Sequence, residues 1–250
     1  MSNPSYKIYP SLLDSYIDYL NSDYIWERYW GNSEMPPHTP EQFKNIQFKS
    51  LIDRINRVPP KWEDTEKMDK GTAFNEVVDC IIEQRKSNKM EIEKVYKTVR
   101  SGAVDQTGKP MDYEEYQTDE VIGLKVPFNG REFVFPLNIC MEFSDYFKGA
   151  ITQQYVEAPI KTCYGDVLLY GYIDELMPTS VHDIKTTGQY SFGKFKDHSQ
   201  HLVYPYCLIK NGNDIHMFEY DITDFKDTYK EVYFFDEIRD IPILRKRCES

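Results

Sequence analysis

The chain has 250 residues, 40% of them hydrophobic and 28% charged, with 12 glycines and 14 prolines. That is enough apolar chain to bury a sizeable core, and it excludes disordered and collagen-like classes. The net charge of −11 argues against a protein that coats nucleic acid through overall charge, although a local basic groove or a metal-bridged contact with phosphate stays open.

The longest apolar stretch, Val167 to Ile173, is far short of the ~20 residues of a bilayer span. Met1 to Leu20 has no basic start followed by an apolar block, so a cytoplasmic protein with no membrane contact is expected. Cys80, Cys140, Cys163, Cys207 and Cys248 lack metal-ligand spacing and read as reduced thiols.

Along the chain, Leu12, Leu13, Tyr16, Ile17 and Leu20 recur at helical spacing. Met35-Pro-Pro-His-Thr-Pro40 stops a helix, and Pro59-Pro60 marks a second joint after the periodic stretch Phe43 to Val58. Phe74, Val77, Val78, Ile81 and Ile82 predict another helix, with Thr72 as its cap. Val99 to Gly130, broken by glycines and prolines, reads as loops and short strands. Its Gly102 to Pro110 stretch fails as a phosphate loop because five residues separate the glycines and proline replaces the Ser or Thr.

Leu137 to Ala150 reads as a helix, and Tyr155–Thr162, Val167–Met177 and Val181–Thr186 as a three-stranded antiparallel meander. A helix over Gln200 to Ile209, interrupted by Pro205, a strand over Ile215 to Tyr220, and a final helix over Asp224 to Ile238 follow. The pattern predicts one α/β domain, a central mixed sheet flanked by helices. A helical extension fills residues 1–60.

The chemistry concentrates in one hairpin. Strand side chains at i and i+2 share a face, so Asp183 and Lys185 point the same way. If Pro178 and Thr179 are the central loop residues, Met177 faces Ser180 and Asp174 comes opposite Asp183. Directly opposed carboxylates, with Cβ atoms ~5 Å apart, repel unless a positive charge lies between them. Oxygen ligands suit Mg²⁺ or Mn²⁺, and Lys185 beside them can stabilise an anionic transition state or help deprotonate water. The competing reading is a solvated strand face with a cross-strand ion pair.

Gly171-x-Ile173-Asp174, then Asp183-Ile184-Lys185-Thr186, then Gln200-x-x-x-Tyr204 resembles the core of the PD-(D/E)XK nuclease superfamily, in particular its RecB-like exonuclease branch. Gly71-Thr-Ala-Phe-Asn75 falls where that branch carries Gly-x-x-x-His, so the resemblance covers roughly residues 71–220 and implies a restriction-endonuclease-like core.

It also implies Asp174, Asp183 and the Ile184 carbonyl as metal ligands and Lys185 as the catalytic lysine. Gln200 and Tyr204 would contact substrate phosphate or order the site. Asn75 stands where the branch has an imidazole ligand, and Glu157 resembles an additional acid that some relatives place near the metals. The implied activity is Mg²⁺- or Mn²⁺-dependent hydrolysis of DNA, exonuclease-like, in a prokaryote or virus-infected cell. The alternatives are a lapsed nucleic-acid-binding module on the same fold, or an acidic protein-interaction protein.

His198 and His201, three apart, lack a third zinc ligand at suitable spacing. Tyr190, Phe192, Lys194, Phe195 and Lys196 suit base stacking and phosphate contact, or a partly packed loop. Arg85, Lys86, Lys89, Lys94, Lys97 and Arg100 read as a positive strip or a solvated helix face.

Overall fold

In the computed structural model, residues 6–100, 102, 106–109 and 115–249 are described. The N-terminal segment contributes a short strand, β1 (Tyr6–Ile8), and three helices, α1 (Pro10–Leu20), α2 (Ser22–Trp30) and α3 (Pro40–Ile55). Proline at the start of α1 and α3 costs no hydrogen bond, and Thr39 closes a reciprocal capping box with Gln42. The three helices pack on one another through Leu13, Phe43 and Leu51, with the Trp30 ring 5.1 Å from Phe43.

After a 3₁₀ turn (Trp62–Asp64) comes α4 (Glu66–Ile82), whose N-cap is Thr65, seven residues before Thr72. Thr72 therefore lies inside the helix and does not cap it. The first turns are held by polar contacts that apolar periodicity does not reveal: Thr65 Oγ1 donates to Asp69 Oδ2 at 2.7 Å, and Arg131 pairs with Asp69.

The 99–130 region also differs from expectation. Strands β2 (Glu93–Arg100), β3 (Glu115–Phe128) and β4 (Arg131–Pro136) form a separate antiparallel sheet, and β3 is 14 residues long. Gly123 does not break it. A Cβ there would sit 2.9 Å from the Phe135 carbonyl oxygen, so glycine permits the close approach of β4. Of the Gly102–Pro110 stretch, residues 103–105 and 110 lie outside the described residues. The basic run is neither a helix face nor a free strip. Arg85 and Lys89 are both spent on the buried Glu76, at 2.6 and 2.7 Å, and residues 93–100 form β2.

Helix α5 (Leu137–Tyr146) leads into the main sheet: β5 (Ile151–Thr162), β6 (Gly165–Leu176), β7 (Ser180–Thr186), β8 (Met217–Thr223) and β9 (Thr228–Phe234). The meander β5–β6–β7 is antiparallel as expected, whereas β7–β8 and β1–β6 are parallel, which makes the sheet mixed. Helix α6 (Gln200–Lys210) runs unbroken across Pro205.

The final expected helix is corrected. Asp224 Oδ1 accepts the N–H groups of Lys226 and Asp227, at 2.9 and 2.8 Å, and Phe225 has a left-handed φ of 69°. The chain therefore turns into β9, and only then into α7 (Glu237–Glu249).

Two cores flank the sheet. One joins α1, α6 and α7 through Leu13, Leu202, Val203 and Leu244 to Leu169, Ile173, Phe218 and Ile222. The other joins α4, α5 and the small sheet through Phe74, Val77, Phe135 and Phe143 to Ile184 on β7. No described helix is long and apolar enough to cross a membrane.

Candidate functional site

Strand β6 is the axis of the site. Along one edge it pairs with β5 over its whole length, so β1 and β7 must share the other edge. Strand β1 takes Val167 to Leu169 and β7 takes Glu175 and Leu176, which leaves residues 170–174 unpaired on that edge, at a fork in the sheet. The turn is the one the hairpin register requires: Met177 N–H donates to the Ser180 carbonyl at 2.9 Å, Leu176 faces Val181 and Glu175 faces His182. One further step puts Asp174 opposite Asp183. There the ladder ends, and the Ile184 N–H donates to the Asp174 carboxylate at 2.8 Å in place of a strand partner.

The alternation of β6 also breaks at Asp174. Ile173 packs into the core under α6, yet Glu175, two residues on, is fully buried beside Asp79 of α4. Gln153, between the residues of β5 that pair with Ile173 and Glu175, has a φ of 50°, a left-handed conformation that bends the strand at this level.

Around this fork the structure gathers Asp174, Asp183, Lys185, Gln200 and Tyr204. Lys185 Nζ lies 2.6 Å from Asp183 Oδ2, and the Gln200 side-chain amide donates to the other Asp183 oxygen. Asp183 is 2% exposed, so its carboxylate is shielded from water and salt, whereas the Lys185 side chain is partly open to solvent. Gly171 and Tyr204 belong together: a Cβ at Gly171 would stand 2.7 Å from the Tyr204 ring. Glycine on β6 is thus the seat on which the α6 tyrosine rests. Burial, then the Asp183 charge, pushes the Tyr204 phenol well above its ordinary range.

Helix α4 closes the site from the other face. A Cβ at Gly71 would meet the Thr186 hydroxyl at 3.2 Å, so glycine lets the helix approach β7 closely. Positions 71, 75 and 79 form one stripe of a helix, and Asp79 at the far end bears on Asp174 and Glu175. Asn75 therefore lies between these contacts. Its side-chain oxygen is buried and finds no hydrogen-bond partner among the described residues.

Four carboxyl groups converge here without enough positive charge. Burial, and then Asp183, pushes Asp174 up to about 8, while Lys185 and the Ile184 N–H oppose the rise. Burial and Asp79 push Glu175 up to about 10, and burial pushes Asp79 up to about 6. Glu175 and Asp79 meet through a side-chain hydrogen bond, which requires one of the two carboxyl groups to keep its proton. A divalent cation held by oxygen ligands answers this deficit, and Asp174, Asp183 and Asn75 are of the donor type that Mg²⁺ and Mn²⁺ accept.

Glu157 stands apart: it is exposed on β5, and it accepts the Tyr155 hydroxyl at 2.6 Å. His198 and His201 do not share a ligand; His201 stacks on Tyr233 at 4.5 Å, and the His198 ring meets Phe195 edge-on at 5.4 Å. In the loop before α6, Phe195 is buried, Tyr190 stacks on Tyr229 at 4.5 Å, and Phe192 is 93% exposed. The loop is thus partly packed and partly presented.

Sequence reasoning missed Asp79, Glu175 and Tyr220. Asp79 follows Asn75 by one helical turn and Glu175 follows Asp174, so both were in reach of a spacing argument. Tyr220 was not: it meets Asp183 only through the parallel β7–β8 register, and its ring centre lies 5.6 Å from the Lys185 Nζ.

A second polar cluster lies behind β7. His182, Glu219 and Asp221 offer ligand atoms within 4.8 Å of one another. Lys230 already supplies their cation, 2.8 Å from Glu219 and 3.6 Å from Asp221. Tyr146 donates to Glu219 at 2.8 Å, His182 Nδ1 pairs with Asp221 at 2.9 Å, and Ser180 with His182 Nε2 at 2.6 Å.

No family model and no curated protein matches the chain. Among solved structures, the crystal structure of SSO0001 is similar over 45% of this chain, at 11% sequence identity and a TM-score of 0.32. The match spans about half of that protein, 54% of its length.

Proposed function

We propose that the chain is a metal-dependent deoxyribonuclease on a restriction-endonuclease-like core, of the PD-(D/E)XK type, exonuclease-like in mode. The observation that carries the reading is the convergence at the sheet fork of two carboxylates, Asp174 and Asp183, with Lys185 paired to the second at 2.6 Å. Asp174, Asp183, the Ile184 carbonyl and the Asn75 amide oxygen would hold Mg²⁺ or Mn²⁺. The bound ion would supply charge to lower the pKa of an attacking water and to offset negative charge on the phosphate.

Each side chain then has its own task. Asp174 is fixed by the Ile184 N–H, which aims one carboxylate oxygen and leaves the other for a cation. Gln200 orients Asp183 from the α6 side. Lys185, 22% exposed in its side chain, reaches the solvent-facing mouth where a scissile phosphate would enter, so its ammonium can stabilise the pentacovalent dianion. Tyr204, seated on Gly171, keeps α6 at the distance that Gln200 requires.

The test is incubation of the purified protein with linear and circular DNA, with and without Mn²⁺. Mn²⁺-dependent loss of the linear form alone is the expected result, and no cleavage of either form sinks the reading. Asn75, an amide where the related branch carries an imidazole, favours one second reading, a binding module without turnover. DNA binding without cutting at any Mn²⁺ concentration would select it.

A further inference from the structure

The N-terminal helices have no part in the chemistry proposed above, yet they are locked to it. Asp14 of α1 accepts the Ser199 N–H at 2.8 Å, immediately before Gln200. Arg247 of α7 reaches the same serine hydroxyl at 2.8 Å. Between this helical layer and β6 lies an open cleft of about 1380 Å³, and Lys185, Gln200 and Tyr204 line its floor.

Two features of that cleft point to one class of ligand. The first is charge. In a chain whose net charge is −11, six Lys or Arg side chains line the cleft against three aspartates. Arg28 and Arg57 are exposed and have no carboxylate partner among the described residues, and Arg54 holds only the Ser11 carbonyl, at 3.3 Å.

The second feature is a run of tyrosine rings. Tyr172 and Tyr170 of β6 and Tyr9, 5.8 Å from Tyr170, line the cleft; Tyr155 of β5, outside the lining, packs 5.2 Å from Tyr172 and 6.3 Å from Tyr170. Tyr172 is 58% exposed. Tyr24 and Tyr29, exposed on α2, line the cleft from the opposite side.

Ring faces inside a concave, basic cleft are of little use to a duplex, whose bases are already stacked on one another and offer only their edges in the grooves. An unpaired strand has both a phosphate chain for the arginines and base faces for the tyrosines. We infer that the cleft between the N-terminal helices and β6 is the binding channel for a single, unpaired polynucleotide strand, which it delivers to Lys185. The inference rests on the nuclease reading for what happens to the strand, and on the cleft alone for its being unpaired.

Fluorescence anisotropy in EDTA, which prevents cleavage, tests it on the full chain with labelled oligo-dT, oligo-rU and a duplex, each of about 12 nucleotides. Unpaired strands should bind at least about tenfold more tightly than the duplex. The exposed double variant Arg28→Ala/Arg57→Ala should weaken strand binding about tenfold and flatten the salt dependence by about 1.4 in log–log slope, the value for two lost phosphate contacts. Tyr172→Ala should weaken binding about fivefold or more with the slope unchanged.

Tighter oligo-dT or oligo-rU identifies the sugar the channel prefers, and either supports the inference. Duplex binding as tight as strand binding, or variants that bind like the wild type, overturns it. Mn²⁺-dependent cutting with no strand preference would remove this inference and leave the nuclease reading, while strand binding without cutting would do the reverse.

Discussion

Two buried polar clusters meet strand β7, and their difference shows how a folded chain marks a place for a foreign cation. In one cluster, Glu219 and Asp221 share Lys230, and Tyr146, His182 and Ser180 complete the network. Despite burial, hydrogen bonds from Lys230, Asp221 and Tyr146 hold Glu219 below its usual pKa, and burial lifts Asp221 to about 6. In the other cluster, at the sheet fork, Asp174 and Glu175 are lifted to about 8 and 10, and Asn75 keeps a buried side-chain oxygen without a partner among the described residues. A buried charge is tolerable only when paired. In the first cluster Lys230 lies against both acids; the second sets one lysine, Lys185, against four carboxyl groups and is the stronger candidate for a metal.

The sharpest way to break this contrast is to neutralise one acid from each cluster. Asp183→Asn should reduce Mn²⁺-dependent DNA cutting by about a thousandfold or more, with the melting temperature little changed. Glu219→Gln should leave the cutting rate within about twofold and lower the stability instead. Equal losses of activity in the two variants, followed by gel assay on linear DNA, would erase the distinction.

Metal binding comes next in size. With Mn²⁺ at about 100 times its dissociation constant, the wild type should gain about 2.7 kcal/mol against urea, and Asp174→Asn should gain almost none. The Glu219→Gln variant should keep the full gain. A Mn²⁺ effect that follows Glu219 rather than Asp174 would move the metal to the His182, Glu219 and Asp221 cluster.

Lys230→Met probes the self-sufficient cluster directly. Removing the only lysine between Glu219 and Asp221 leaves two buried acids facing each other. Because the lysine side chain is 46% exposed, the expected loss is about 2 kcal/mol, below that of a fully buried pair. Urea unfolding measures it, and the cutting rate should be untouched.

The comparison also explains what could be read from the sequence. The hairpin register was legible once Pro178 and Thr179 were taken as the loop centre, and counting back from there reaches Asp174 and Asp183, one step past the last paired residues, Glu175 and His182. The pairing of Gly171 with Tyr204 was legible only as two motif letters; that one makes room for the other is a fact of packing.

Strand β9 and the long β3 were missed for opposite reasons. Asp224, Lys226 and Asp227 look like a helix start but close a turn. Gly123 and Pro127 look like breakers, but they sit where β4 approaches closely. The second cluster was invisible because Glu219, Asp221 and Lys230 reach His182 only through the parallel pairing of β7 with β8 and the hairpin to β9. Parallel registers carry no turn from which they can be counted.

The smallest effect separates the fold's own acid sensitivity from that of the site. Loss of cutting at low pH can be assigned to protonated carboxylates only if the fold itself survives there. Burial pushes His201 down to about 4, with the Arg247 charge acting in the same direction. The unfolded chain then binds a proton on this histidine, between about pH 6.5 and 4, that the folded chain refuses. The stability it supports is complete above pH 6.5 and is lost as the pH falls toward 4.

His201→Phe keeps a ring against Tyr233, and it removes a nitrogen, Nδ1, that is buried without a partner among the described residues. Between pH 6.5 and 4 the variant should therefore lose about 1–2 kcal/mol less than the wild type, as read from urea midpoints. Its cutting rate should still fall with pH as the wild type's does. An activity profile that shifts together with the stability would place the acid limb in the fold and take it away from the site.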